Sequence, residues 1–139
     1  MWMVLIFSAS ADKSSYQHSS TLFVPFIHWL FPHWSAEQVD ALHHFFRKCA
    51  HFSEYAILAF LLRRTLVNAF PATFAPWGAR VFGSGVALVF LYASSDEFHQ
   101  SFVPTRTPLF SDVLIDTAGG TTGLVLLWLA HAVWRKRAA

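Results

Sequence analysis

The side chains with acid–base chemistry fall into three groups along the chain: His51 and Glu54, then Asp96, Glu97 and His99, then Asp112 and Asp116. Arg47 and Lys48 precede the first group, and Arg106 lies between the second and third. Histidine set among carboxylates can pass a proton as general acid and base or help to hold a divalent ion. Neighbouring cations can neutralise a phosphate or carboxylate on a ligand. No standard metal signature is present, so a divalent metal is a possible cofactor, not a required one. Ser94, Ser95, Ser101 and Ser111 have no nucleophile-elbow or triad context. Cys49 is the single cysteine, which excludes an intrachain disulfide and reads as a buried packing residue.

What positions these residues follows from composition. Of the 139 residues, 55% are apolar and 13% charged, with 15 Phe and 6 Trp, whereas a soluble domain has about 45–50% apolar and about 25% charged residues. Mean hydropathy is +0.41, so much of the solvent is expected to be lipid. Spans of about 20 residues each leave room for roughly four and for no second domain. We therefore expect an all-α, polytopic membrane bundle forming one unit over 1–139. The clearest apolar runs are Val81–Ala93, stretching from Trp77 to Ser95, and Val113–Trp134, which stops at Arg135-Lys136-Arg137. A third, from Leu42 to Leu66, carries Arg47, Lys48, His51 and Glu54 in its first half. The first helix, Met1–Phe7, is shortened to about half a span at ~1.5 Å per residue. No positive region precedes that stretch, which argues against a signal peptide. Around 23–34, aromatics alternate with Pro25, Pro32, His28 and His33, as in an interfacial or re-entrant segment.

Arg63, Arg64 and Arg80 fall between the second and third spans and Arg135, Lys136 and Arg137 follow the fourth, so six of the ten basic residues lie on one side of the membrane. That side is expected to be cytoplasmic, with both termini on it. The 97–111 connection then faces the outside. A pI of about 9.0 rests on a net charge of only +2, so there is no continuous basic field for nucleic acid. The lipid bilayer is the expected partner, and the oligomeric state is open.

At about 100° per residue, His44, Lys48, His51 and Tyr55 fall on one face of the second span, with Arg47 and Glu54 beside them. Gly85, Tyr92 and Asp96 share a stripe on the third, extended by His99 and Gln100 if the helix continues past Asp96. Asp112, Asp116, Gly119 and Gly123 share one on the fourth, where the glycines form a small-xxx-small pair. Ionisable groups at membrane depth cost about 2.5–3.5 kcal/mol each on insertion scales and so read as functional. A bland reading stands beside this one: Arg47, Lys48 and Arg106 simply neutralise the carboxylates and hold the helices in register. Arg106, fixed between Pro104 and Pro108, either clamps a ligand or pairs with Asp112. His28, His33, His43 and His131 read as interfacial or packing residues, and Arg63 and Arg64 as topology determinants.

These blocks resemble a known family. Arg47-Lys48-x-x-His51-x-x-Glu54-Tyr55, then Tyr92-x-x-x-Asp96-Glu97-x-His99-Gln100-x-Phe102-x-Pro104-x-Arg106, then Asp112-x-x-x-Asp116-x-x-Gly119-x-x-x-Gly123 are similar to the VanZ-like family over roughly residues 44 to 125. The resemblance implies a small polytopic protein of the bacterial inner membrane with four or five helices, and a link to teicoplanin resistance. Two departures are visible. Asp116 stands where the family generally carries asparagine, and the family usually starts with a full span ending in a turn like Phe7-Ser8-Ala9-Ser10.

Three functions fit these residues. An enzyme would hydrolyse or transfer the phosphate-bearing head group of an envelope lipid or peptidoglycan precursor, with His51, Asp96, Glu97 and His99 as the catalytic set. Lys48, Arg47, Glu54, Tyr55, Gln100, Arg106, Asp112 and Asp116 would bind its substrate. A non-catalytic accessory protein would use the same pocket to bind a head group or a partner protein. A proton-coupled transporter is disfavoured by short helices without an internal repeat.

Overall fold

The computed structural model describes residues 2–11, 15–102 and 109–138, and all regular structure within them is α-helical. The helices are α1 (Trp2–Ala11), α2 (Ser15–Leu30), α3 (Ala36–Ala69), α4 (Ala79–Gln100) and α5 (Phe110–Ala138). With 34, 22 and 29 residues, α3, α4 and α5 run about 51, 33 and 44 Å against a hydrocarbon layer of about 30 Å. Among the described residues, α5 is the one helix both long and apolar enough to cross a membrane on composition alone. The other two have the length but are diluted by charge: Arg47, Lys48, His51 and Glu54 on α3, Asp96, Glu97 and His99 on α4.

α3 starts at Ala36, well before the apolar run at Leu42, because Ser35 caps it. The Ser35 hydroxyl accepts from the Gln38 backbone N–H at 3.3 Å, and the Gln38 side chain accepts from the Ser35 N–H at 2.9 Å. This reciprocal box satisfies two donors that a helix start would otherwise leave unpaired. At the other end of the bundle α5 continues through Arg135–Arg137, where cations suit a helix C-terminus. The segment around 23–34 is helical to Leu30 and then turns, with Phe31 stacked on Trp34 at 4.6 Å.

Packing is organised by small residues on α5. A Cβ on Gly119 would collide with the Phe52 backbone carbonyl, and one on Gly123 would lie 3.0 Å from Ala56. α3 and α5 therefore run in the same direction with their backbones touching. On its other side α5 receives α4: Val89 fills the space over Gly120, and Leu124 lies 3.1 Å from the Cβ position of Gly85. These pairs make α4 antiparallel to α5. Tyr55, Leu58, Ala59, Val89, Ala93, Val113 and Leu124 form the shared core, joined by Ile6 of α1. α1 is fastened at both edges, since the Trp2 indole donates to the Glu54 carbonyl at 3.1 Å and the Tyr92 hydroxyl donates to the Met3 carbonyl. α2 docks on α3 through Phe23, whose ring sits 5.0 Å from that of His43.

At the end where α3 and α5 finish, Arg63 donates from Nε and Nη2 to the Pro76 carbonyl at 3.1 and 2.8 Å. Its guanidinium lies 3.8 Å over the Trp77 ring, which stacks on His131 at 4.4 Å. Arg63 and His131 thus tie α3, the 70–78 connection and α5 together.

Replacing Gly119 by Ala should lower the thermal midpoint in detergent by an overpacking cost of about 1–3 kcal/mol. Gly83→Ala, where nothing lies within 4 Å of an added Cβ, should leave it unchanged or slightly raised. Equal effects at the two glycines would refute the close α3–α5 approach.

Candidate functional site

The three groups of acid–base residues meet where α4 ends and α5 begins. Lys48 Nζ of α3 is 2.8 Å from Asp112 Oδ1 of α5, with the two side chains 47% and 38% exposed. One to two turns along α3 lies Tyr55, wholly buried, with Asp116 and Asp96 as the carboxylates that act most strongly on it. Asp96, 1% exposed, accepts a hydrogen bond at Oδ2 from the Gln100 side-chain amide at 3.1 Å. This bond exists because α4 continues helical to Gln100. Asp116, 7% exposed, feels the fields of Asp96, Asp112, Glu97 and Glu54. The Tyr55 and Tyr92 rings stand 6.1 Å apart and wall the cluster on the α1 side.

His51 lies between Lys48 and Tyr55 along α3 and is half-buried, as are Arg47, Glu54, Glu97 and His99. Glu97 accepts the backbone N–H of Leu109, which ties the end of α4 to the start of α5. Glu54 contributes its backbone carbonyl to Trp2. Arg106, with Pro104 and Pro108, falls outside the described residues. His44, placed by periodicity on the same face as Lys48, is exposed and lies 3.6 Å from Asp40 on its own helix, which sets it apart from the cluster. His43 is buried at 2% and belongs to the α2–α3 contact, whereas Cys49, expected to be buried, is exposed on α3.

Of the four serines near the cluster, Ser111 donates to Asp112 Oδ1 at 3.4 Å, and the other three are committed to carbonyls of their own helix. Ser94 donates to the Phe90 carbonyl and Ser95 to the Tyr92 carbonyl, each at 2.8 Å, and Ser101 donates to the Phe98 carbonyl at 2.6 Å. None of these hydroxyls is presented to a histidine by its hydrogen bond, as an activated nucleophile would be. Among the described residues, no group of three or more His, Cys, Asp or Glu side chains is arranged to hold a metal ion. Chemically, the carboxylates and the Gln100 amide are groups that can bond hydroxyl or amide groups, and Lys48, paired with Asp112, is a cation at the exposed end of the cluster.

A family model described as VanZ/LLP1 matches residues 1–131. No curated protein and no solved structure matches the chain.

Because both partners of the Lys48–Asp112 pair are well exposed, Lys48→Gln should cost under about 1 kcal/mol of stability. Asp96→Leu strands the buried Gln100 amide and should cost about 1–3 kcal/mol. Unfolding midpoints in detergent check the order, and a larger loss for Lys48→Gln than for Asp96→Leu would contradict this geometry.

Proposed function

The chain belongs to the VanZ/LLP1 family, and from that membership and the cluster we propose a multi-pass bacterial inner-membrane protein that binds a phosphate-bearing head group at the outer face. The head group would belong to an envelope lipid or peptidoglycan precursor, and binding it would connect the protein to glycopeptide (teicoplanin) resistance. In this reading α3, α4 and α5 span the bilayer, α1 is a short helix wedged against them, and α2 lies at the interface.

Two features support the placement. Ile57 and Phe60 on α3, Leu88 and Leu91 on α4, and Val125, Leu126 and Leu129 on α5 are all exposed, an apolar belt too continuous for a water-facing surface. The polar cluster lies to one side of that belt. To the other side lie Arg63, Arg64, Arg80, Arg135, Lys136 and Arg137, the distribution expected of a cytoplasmic face. The functional reading is supported by the gathering of Lys48, Tyr55, Asp96, Gln100, Asp112 and Asp116, from three helices, at one end of the bundle. Lys48, with Arg47 beside it, would meet the phosphate, and the carboxylates and Gln100 would take hydroxyl or amide groups attached to it. The engagement of Ser94, Ser95 and Ser101 with backbone carbonyls favours binding over a covalent mechanism through those hydroxyls. A hydrolytic version of the same site would instead use His51 or His99 for proton transfer, with Asp96 and Glu97 orienting them.

The test is retention and turnover of a radiolabelled polyprenyl phosphate by protein reconstituted in nanodiscs. Binding should fall about tenfold in Lys48→Gln, the loss of one charge-assisted contact, with no phosphate released by wild type. Release of phosphate, abolished by His99→Ala, would replace the binding reading with the hydrolytic one. In a Cys49→Ala background, Phe102→Cys should be labelled by an impermeant thiol reagent from outside the cell; labelling from the cytoplasmic side alone would reverse the orientation.

A further inference from the structure

The end of the bundle opposite the polar cluster holds an arginine with more structure around it than a topology determinant needs. Arg63 is held along one edge by the Pro76 carbonyl and on one face by the Trp77 ring. Its Nη1 edge makes no hydrogen bond among the described residues. It lines a cleft whose other walls include Trp77, Val81, Phe82, Leu124 and Trp128. Arg80 is exposed on the first turn of α4, next to the lining residue Val81.

We infer that this cleft binds an anionic glycerophospholipid, its phosphate on the free edge of Arg63 with Arg80 at the rim, and the start of its acyl chain against Phe82, Leu124 and Trp128. An immobilised guanidinium loses less side-chain freedom on binding than a free one and offers directed donors to phosphate oxygens. Apolar and aromatic walls beside that cation fit an amphiphile and leave a free phosphate with nothing for most of the cleft. The surrounding charge selects the head group. No Asp or Glu occurs between Tyr55 and Ser95, so the stretch of chain that carries Arg63 and Arg80 brings no acidic side chain of its own to the cleft. A zwitterionic head group would bring its ammonium into that field, whereas an anionic one carries a net charge the field attracts. Trp128 and Trp134, both exposed, sit on the last turns of α5, where indoles favour the membrane interface. The inference shares the bilayer placement with the proposed function but uses none of the polar cluster, so either can fail while the other stands.

The experiment is native mass spectrometry of the detergent-solubilised protein titrated with phosphatidylglycerol or phosphatidylcholine. Wild type should retain phosphatidylglycerol preferentially, and Arg63→Gln and Arg80→Gln should each weaken it about fivefold, the factor expected for one basic residue at an anionic lipid surface. Arg137→Gln, beyond the cleft, should leave it unchanged. Arg80→Gln leaves the Pro76 and Trp77 contacts of Arg63 in place, so it decides the matter if Arg63→Gln fails to fold. Equal retention of the two lipids would overturn the site. So would an equal loss in Arg137→Gln and Arg80→Gln, which would mean a diffuse field, or displacement of the lipid by equimolar inorganic phosphate.

Discussion

Direct backbone contact between α3 and α5 governs the arrangement of everything else. Gly119 against the Phe52 carbonyl and Gly123 against Ala56 fix both the separation and the register of two long helices. Once that register is set, the turns leading up to the contact have no freedom: Lys48, one turn before Phe52, must face the start of α5, and there it finds Asp112. Tyr55 lies three residues past Phe52 and Asp116 three residues before Gly119, and Asp116 is the carboxylate that acts most strongly on the Tyr55 hydroxyl. α4 is then seated by Val89 over Gly120, which brings Ala93 and Asp96 to the same depth. In lipid, apolar helices gain little from hiding apolar surface from one another, and association depends on close packing and interhelical polar contacts. Residues without side chains are therefore the organising ones here.

The register gathers charge in a costly way. Glu54, Asp96, Glu97, Asp112 and Asp116 share one end of the bundle with Arg47 and Lys48. Removing a single carboxylate from water costs several kcal/mol even after relaxation. Parts of that cost are offset locally, with Asp112 on Lys48, Asp96 on Gln100 and Glu97 on the Leu109 N–H. A fold needing only register could obtain it from the glycines. Register alone therefore does not account for the acidic side chains gathered at this end.

Much of this was legible in the sequence. The 100° stripes placed Lys48 and Tyr55 on one face of α3 and Asp112, Asp116, Gly119 and Gly123 on one face of α5, and the contacts at Asp112, Gly119 and Gly123 agree. Periodicity alone does not carry α4 past Asp96, because Asp-Glu-x-His-Gln is a poor membrane sequence; the Asp96–Gln100 bond shows how the helix accommodates it. Two features were missed. The start of α3 at Ala36 was signalled by Ser35-Ala36-Glu37-Gln38, a capping box outside the apolar pattern used to find spans. Arg63 and His131 were read singly, as a topology residue and a packing residue, because nothing in linear spacing reveals that the 70–78 connection folds back and puts Trp77 between them in the sequence of contacts. Periodicity reports the face of a helix, and it is silent on what a connection brings to that face.

Depth within the polar cluster also constrains how a ligand could use it. Exposure falls from 47% at Lys48 and 38% at Asp112 to 7% at Gln100 and Asp116 and 1% at Asp96. Coulomb attraction at the open end is weakened by water, while a hydrogen bond at the closed end is made in a medium of low dielectric, where an unsatisfied group is expensive. A head group arriving from the water side would meet Lys48 first, a contact that would hold its phosphate without selecting what is attached to it. Discrimination would come from the inner positions, where Asp96, Gln100 and Asp116 accept or donate along fixed directions and a mismatched ligand leaves them unpaired. Under the proposed function, the buried carboxylates and amide, more than the exposed lysine, would set which ligand chemistry this end of the bundle accepts.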